Sequence, residues 1–259
     1  MISIKDNLDK IKTQINQACQ KSMPLFSIDQ LNATQTQLTS NIKQTVTLLA
    51  VSKKKPSETI KQAYLCGQKD FGENYLQEAL YKIEQLIEFT DICWHFIGPI
   101  QSNKTKQIAK NFAWVHSVDR EKVALRLNQH LNEGLNGNKK LNICLQVNIN
   151  NEASKSGLNE EQVLSLAEVI NNCDRLTLRG LMAIPEKNAC KETYQKIQQL
   201  YNSLNDKYST VDTLSLGMSN DLDIAIAHGS TMVRIGTAIF GTREHTNDQS
   251  PSQLITRNT

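Results

Sequence analysis

At 259 residues the chain exceeds the usual single domain, although a (β/α)8 barrel commonly runs to roughly 250 residues around one core. Hydrophobic residues at 39% and charged residues at 21%, with only 11 Gly and 5 Pro, exclude a disordered or fibrous chain. A formal net charge of +3 is too slight to call for a polyanion such as nucleic acid as partner.

The N-terminus, MISIKDNLDKI, breaks its apolar residues with charge, so it carries neither a secretory apolar stretch nor a membrane span. Ile4, Leu8, Ile11 and Ile15 recur at spacings of four, three and four, which predicts an extra N-terminal helix over residues 1 to about 20. Residues 27–45 are rich in Ser, Thr, Asn and Gln and read as a polar connector. The six cysteines, at 19, 66, 93, 144, 173 and 190, form no CxxC pair and show no Cys/His spacing of the zinc type. They read as thiols packed singly in a reducing cytoplasm, with no metal site among them.

From Thr47 the pattern changes to short apolar runs alternating with amphipathic stretches, the signal of βα units and a parallel sheet. Eight runs follow: TLLAVS (47–52), KDFG (69–72), ICWHFIG (92–98), AWVHSV (113–118), LNICLQVNI (141–149), LTLRGLMAI (176–184), DTLSL (212–216) and TMVRIG (231–236). The second is the weakest, since only Phe71 is bulky. Between the fifth and sixth runs Val163, Leu166, Ala167 and Ile170 form an apolar face, entered through Asn159 with Gln162 three residues on, close to a capping box. Tyr194, Ile197, Tyr201, Leu204 and Tyr208 form another between the sixth and seventh. Eight repeats over about 190 residues favour a single closed (β/α)8 TIM barrel over an open doubly wound sheet. The chain then divides into an N-terminal helix and connector (1–45), the barrel (46–243) and a polar tail (244–259).

In such a barrel the chemistry gathers where strands end at the C-terminal face. The residues there include a lysine, an arginine and two small-residue loops, but no acid pair at catalytic spacing and no metal cluster. Lys53 opens the run Lys53-Lys54-Lys55, which on its own is a solvated charge run. It directly follows LLAVS, however, so it can point into the cavity, where a desolvated amine forms an imine with an aldehyde. Lys54 and Lys55 are read as exposed. In SLGMSNDLDIAIA, Ser219 is placed to cap a helix beginning at Asn220, with its amides turned toward an anion, and Gly217 permits close approach. Gly236 and Thr237 add an unobstructed amide and a hydroxyl after the eighth run, and the last two loops of a barrel frequently hold phosphate. The alternative is ordinary turn chemistry. Arg234 lies between Val233 and Ile235, so it faces the lumen if they face the helices. From this run alone, a structural ion pair and a ligand role stand even for it.

Seven segments, LLAVSKKKP, FGENYLQEALYKI, WHFIGPIQSNK, NINNEASKSGL, RGLMAIP, LSLGMSNDLDIAI and GSTMVRIGTAIFG, closely resemble the pyridoxal phosphate homeostasis protein family, known as YggS in bacteria and PROSC or PLPBP in animals. The resemblance runs in order over residues 46–243. It implies the barrel fold of the alanine racemase N-terminal domain and pyridoxal 5'-phosphate (PLP) as cofactor, held as a Schiff base on Lys53. It also implies Asn74 beside the phenolic oxygen, Arg234 facing the pyridine nitrogen, and Met218, Ser219, Gly236 and Thr237 around the phosphate. His95 and Lys155 match as pocket or rim residues, and a packing role for His95 is at least as well supported. The sequence departs from the family in a longer connector before residue 46 and in Asn220, where Asp is frequent.

The function implied is vitamin B6 and amino-acid homeostasis in the cytoplasm, without an established enzymatic activity. The partners implied are PLP and PLP-dependent apo-enzymes, and the chain is expected to be a monomer. A PLP-dependent racemase or lyase acting on small amino acids is the competing reading. It is disfavoured because a racemase of this fold needs an opposing acid-base residue from a second domain, and because a guanidinium at the pyridine nitrogen weakens the ring as an electron sink. A barrel that binds some other phosphorylated ligand is the third.

Overall fold

The computed structural model describes residues 3–22, 45–134, 139–150 and 156–242. The connector beyond residue 22, the C-terminal tail and Lys155 therefore lie outside the described residues.

Eight parallel strands close into a barrel in sequence order. They are β1 (Thr47–Val51), β2 (Asp70–Glu73), β3 (Cys93–Phe96), β4 (Trp114–Val118), β5 (Leu141–Val147), β6 (Leu176–Ala183), β7 (Thr213–Ser215) and β8 (Met232–Ile235). Closure is made by β8 against β1, with Thr47 opposite Met232 and Ala50 opposite Ile235. Each apolar run contains one strand. KDFG forms β2 one residue later than the pattern predicts, because its last ladder position is Glu73, a charged residue that is wholly buried.

The helices are α1 (Ile4–Ser22), α2 (Ser57–Leu65), α3 (Leu76–Gln85), α4 (Thr105–Asn111), α5 (Glu121–Glu133), α6 (Glu160–Asn171), α7 (Lys191–Lys207), α8 (Leu222–Ala227) and α9 (Thr237–Phe240). The N-terminal stripe is real: Leu8, Ile11 and Ile15 are buried, and α1 packs on α8 and α9. At the entry to α6 both hydrogen bonds of the capping box form between Asn159 and Gln162. On α7, Tyr194, Ile197 and Leu204 are buried, while Tyr208 falls just past the helix end.

One continuous apolar core fills the layer between strands and helices, drawn from residues such as Phe71, Phe96, Ile143 and Val233. The alternate strand positions point inward, and several are polar. His95, His116, Ser215 and Arg234, from β3, β4, β7 and β8, are all buried and bonded in sequence across the lumen.

Candidate functional site

A cavity of about 210 Å³ opens at the C-terminal mouth of the barrel. Lys53, Asn74, Met218, Ser219, Arg234, Gly236 and Thr237 line it, so residues following β1, β2, β7 and β8 converge with one side chain of β8 itself. An adjoining cavity of about 360 Å³ shares Asn74, Ile97 and Ile184 with the first.

Lys53 is half-buried and leaves β1 through a tight turn. Ser52 donates its amide to Gly72 O, Lys55 donates back to Ser52 O, and Lys54 sits at φ 59°. Lys54 is exposed, as the charge run predicts, but Lys55 is not. Its Nζ donates to Phe240 O and Thr242 O at 2.9 Å, and it joins the cavity wall. The carbonyls at the end of α9 accept that cation, as helix C-termini do.

Behind Lys53 and Asn74 lies a buried ionic cluster that the strand pattern does not predict. Lys82 Nζ, 3% exposed, donates to Glu73 Oε1 at 2.7 Å, Glu78 Oε1 at 2.5 Å and Ser52 O at 2.8 Å. Ser52 Oγ adds a 2.6 Å bond to the same Glu73 oxygen. Burial pushes the Glu73 carboxyl above its usual range, with Lys82 and Ser52 opposing. The available signal was the stripe of α3, in which Lys82 occupies the inward position after Leu76 and Ala79.

Asn74 carries a buried Oδ1 with no hydrogen-bond partner, and so does Glu73 at Oε2. A Cβ on Gly98 would lie 2.0 Å from Asn74 O, so only glycine lets the β3 loop seat against this residue. Asn74 itself lines the cavity, although its unpaired Oδ1 is closed off from it.

On the opposite wall the loop after β7 differs from the predicted cap. Helix α8 starts at Leu222, not Asn220, with Asp221 at its N-cap position and no side-chain cap from Ser219. Asp221 folds back on its own turn instead. Its Oδ1 accepts the Met218 amide at 2.7 Å, and its Oδ2 accepts the Tyr194 hydroxyl at 2.9 Å. The Met218 amide is therefore committed within the protein, although Met218 itself lines the cavity. Gly217, at φ 97°, makes the loop possible, since a Cβ there would meet Ala225 Cβ at 2.6 Å.

Arg234 faces the lumen, as the alternation predicts, and is 5% exposed. The structural ion pair weighed for it does not form. Its guanidinium donates to Ala183 O (2.7 Å), Ser215 O (2.5 Å) and Ser215 Oγ (2.8 Å), all neutral oxygens. Burial pulls it down to about 10, with Asp221 opposing, which leaves it cationic at neutral pH. His95 lies away from the cavity lining. It is wholly buried in the lumen, bonded to Asp70 and His116 at 3.0 Å and stacked on Trp114.

The alanine racemase N-terminal-domain family model matches residues 27–244. A pyridoxal phosphate homeostasis protein of Pseudomonas aeruginosa is 46% identical over 95% of this chain and 98% of its own length. Among solved structures, PipY of Synechococcus elongatus with PLP bound superposes with a TM-score of 0.74 at 28% identity, covering 92% of this chain and all of PipY. Alanine racemase of Corynebacterium glutamicum shares the fold at a TM-score of 0.58 and 14% identity, over 91% of this chain and 61% of its own.

Proposed function

Because this chain belongs to the alanine racemase N-terminal-domain family and, within it, to the pyridoxal phosphate homeostasis proteins, we propose that it binds PLP in the cavity at its C-terminal mouth and serves PLP homeostasis. When bound, PLP supplies an aldehyde that an amine can capture and a phosphate that amides and hydroxyls can hold.

The observation that carries this reading is the convergence of Lys53, Asn74, Ser219, Arg234 and Thr237 on one cavity. Lys53 is the amine that takes the aldehyde as a Schiff base. The loops after β7 and β8 hold the phosphate through Ser219, Gly236 and Thr237. Asn74, on the cavity wall, turns its side-chain N–H to the ring's phenolic oxygen. Arg234 has only donors to offer, so it faces a pyridine nitrogen that keeps its lone pair. These roles follow the chemistry of the donor set, and the groups present fit the cofactor.

We read the protein as a carrier or regulator of PLP. Among the described lining residues the ionisable ones are Lys53, Lys55 and Arg234; neither a carboxylate nor an imidazole lines this cavity to work opposite Lys53. Fast proton movement on an amino acid needs such a second group. On this reading the partners are PLP and the apo-enzymes that receive it. The protein works as a monomer in the cytoplasm, where its six free cysteines stay reduced. No helix among the described residues is long and apolar enough to cross a membrane.

The test is intact mass after incubation with PLP and borohydride reduction, followed by peptide mapping. One added reduced cofactor on Lys53 is expected, with the adduct and its visible band absent in Lys53→Ala. A colourless, unmodified wild type would overturn the proposal, and turnover of an amino-acid panel would overturn the carrier reading.

A further inference from the structure

The polar side chains in the lumen form one chain that links the two mouths of the barrel. Arg234 Nη1 meets Ser215 Oγ at 2.8 Å, Ser215 Oγ meets His116 Nδ1 at 3.0 Å, His116 Nε2 meets His95 Nδ1 at 3.0 Å, and His95 Nε2 meets Asp70 Oδ1 at 3.0 Å. Arg234 lines the cavity at the C-terminal mouth, while Asp70 begins β2 at the opposite end and is 31% exposed. The two ends are the only charged members, a guanidinium and a carboxylate.

The direction of every bond follows from one end. An ionised carboxylate only accepts, so His95 must carry its proton on Nε2. A neutral His95 then has only a lone pair on Nδ1, which obliges His116 to donate from Nε2. His116 in turn has a lone pair on Nδ1, which obliges Ser215 to spend its single proton there. The lone pairs of Ser215 are thus left to Arg234, which has nothing but protons to give. Full burial favours neutral rings at both histidines, which is the condition this induction needs.

We propose that Asp70 is a positioning residue for Arg234, setting the orientation of the guanidinium at the cofactor cavity from the far mouth of the barrel through His95, His116 and Ser215. The consequence for the cofactor rests on the PLP reading above; the chain of fixed tautomers does not. Buried in series, these bonds polarise one another, so the carboxylate acts as a relayed counter-charge to a guanidinium whose own contacts are all neutral. The same geometry accounts for the grouping of Asp70, Cys93 and His95, whose donor atoms lie within 4.8 Å of one another like a ligand set. Burial and the Asp70 charge push the Cys93 thiol up to about 12, which keeps it protonated, and His95 Nε2 is already committed as a donor.

The experiment is a long-range proton–nitrogen correlation spectrum of the imidazoles in the full-length apo-protein. The wild type is expected to show both His95 and His116 as single Nε2–H tautomers. Asp70→Ala should release both rings into mixed tautomers, whereas Asp70→Asn, which keeps an acceptor oxygen, should hold them. Ser215→Ala should leave both fixed, because the order is imposed from the Asp70 end. An Nδ1–H or imidazolium form in the wild type, or an unchanged His116 in a folded Asp70→Ala, overturns the chain. So does loss of the His95 Nε2 proton on adding Zn²⁺, which would make the cluster a metal site. In PLP-loaded protein, Asp70→Ala should retain the adduct on Lys53 by mass yet shift its absorption maximum. An unshifted band overturns the positioning role, while a wild type that takes up no PLP overturns only the cofactor reading and leaves the tautomer result standing.

Discussion

The mouth of the barrel and the lumen beneath it are both polar, but they spend their polar groups differently. In the lumen the side chains from Asp70 to Arg234 are joined end to end, and the bonds run in one direction. At the mouth, adjacent residues each keep one buried oxygen unpaired, Glu73 Oε2 and Asn74 Oδ1; Tyr208, remote from the cavity, supplies the third such atom among the described residues. An unpaired buried polar atom costs about 1–3 kcal/mol, so the wall of the mouth carries a destabilising cost that the linked side chains of the lumen avoid. The contrast separates a linked row of side chains in the lumen from a wall at the mouth that leaves acceptors unpaired.

The sharpest way to break this contrast is at Lys82, where the wall of the mouth depends on buried charge. Removing one partner of a buried ion pair leaves an uncompensated charge, so Lys82→Ala should cost about 3–5 kcal/mol in urea unfolding. Adding Glu73→Gln to Lys82→Ala should recover much of that loss, because the carboxylate left stranded is then gone. A single variant that loses less than about 1 kcal/mol would show that water reaches Glu73, and the wall would not be a dry ionic clamp at all.

Most of the barrel and much of the site were legible in the sequence. The strand runs, the Asn159–Gln162 cap and the α1 stripe each rest on local pattern, and each appears where that pattern puts it apart from the one-residue shift of β2. Lys53, Ser219, Arg234, Gly236 and Thr237 were legible because strands of a barrel open on one cavity, whereas Asn74 came from the family resemblance; all six line that cavity. What escaped is pairing between elements. Nothing local says that Lys82 reaches back to Glu73, that Asp221 takes the Met218 amide and delays α8, or that Lys55 turns inward onto Phe240 O. His95 was legible as a strand residue, but its partner His116 lies one strand away, and Ser215 lies 99 residues beyond that.

The lumen has its own test in pH. Burial lowers both His95 and His116 below the ordinary value of 6.5, strongly for His116, with Asp70 opposing at His95. In the unfolded chain both rings take up protons as pH falls through 6.5, while the folded state resists. Their contribution to stability is thus complete above that pH and is lost below it, down to the folded values. The slope is about 1.4 kcal/mol per pH unit for each ring. Wild type and His116→Gln should therefore converge in unfolding free energy as pH falls from 7 to 5. A constant difference over that range would mean that His116 is solvated or already charged in the fold.

The smallest effect on stability should come from the residue most exposed to the argument from unpaired atoms. Asn74→Ala removes a buried oxygen that has no partner in the protein, so the apo-protein should lose less than about 1 kcal/mol and could gain. Loss of a ligand hydrogen bond should instead show in PLP retention, by about tenfold, the equivalent of about 1.4 kcal/mol. Thermal unfolding with and without PLP separates the two readouts, since only the ligand-dependent increment should shrink. If the apo-protein falls by more than about 2 kcal/mol and PLP retention is unchanged, then the Asn74 amide braces the β2 and β3 loops, and the mouth is satisfied in the same manner as the lumen.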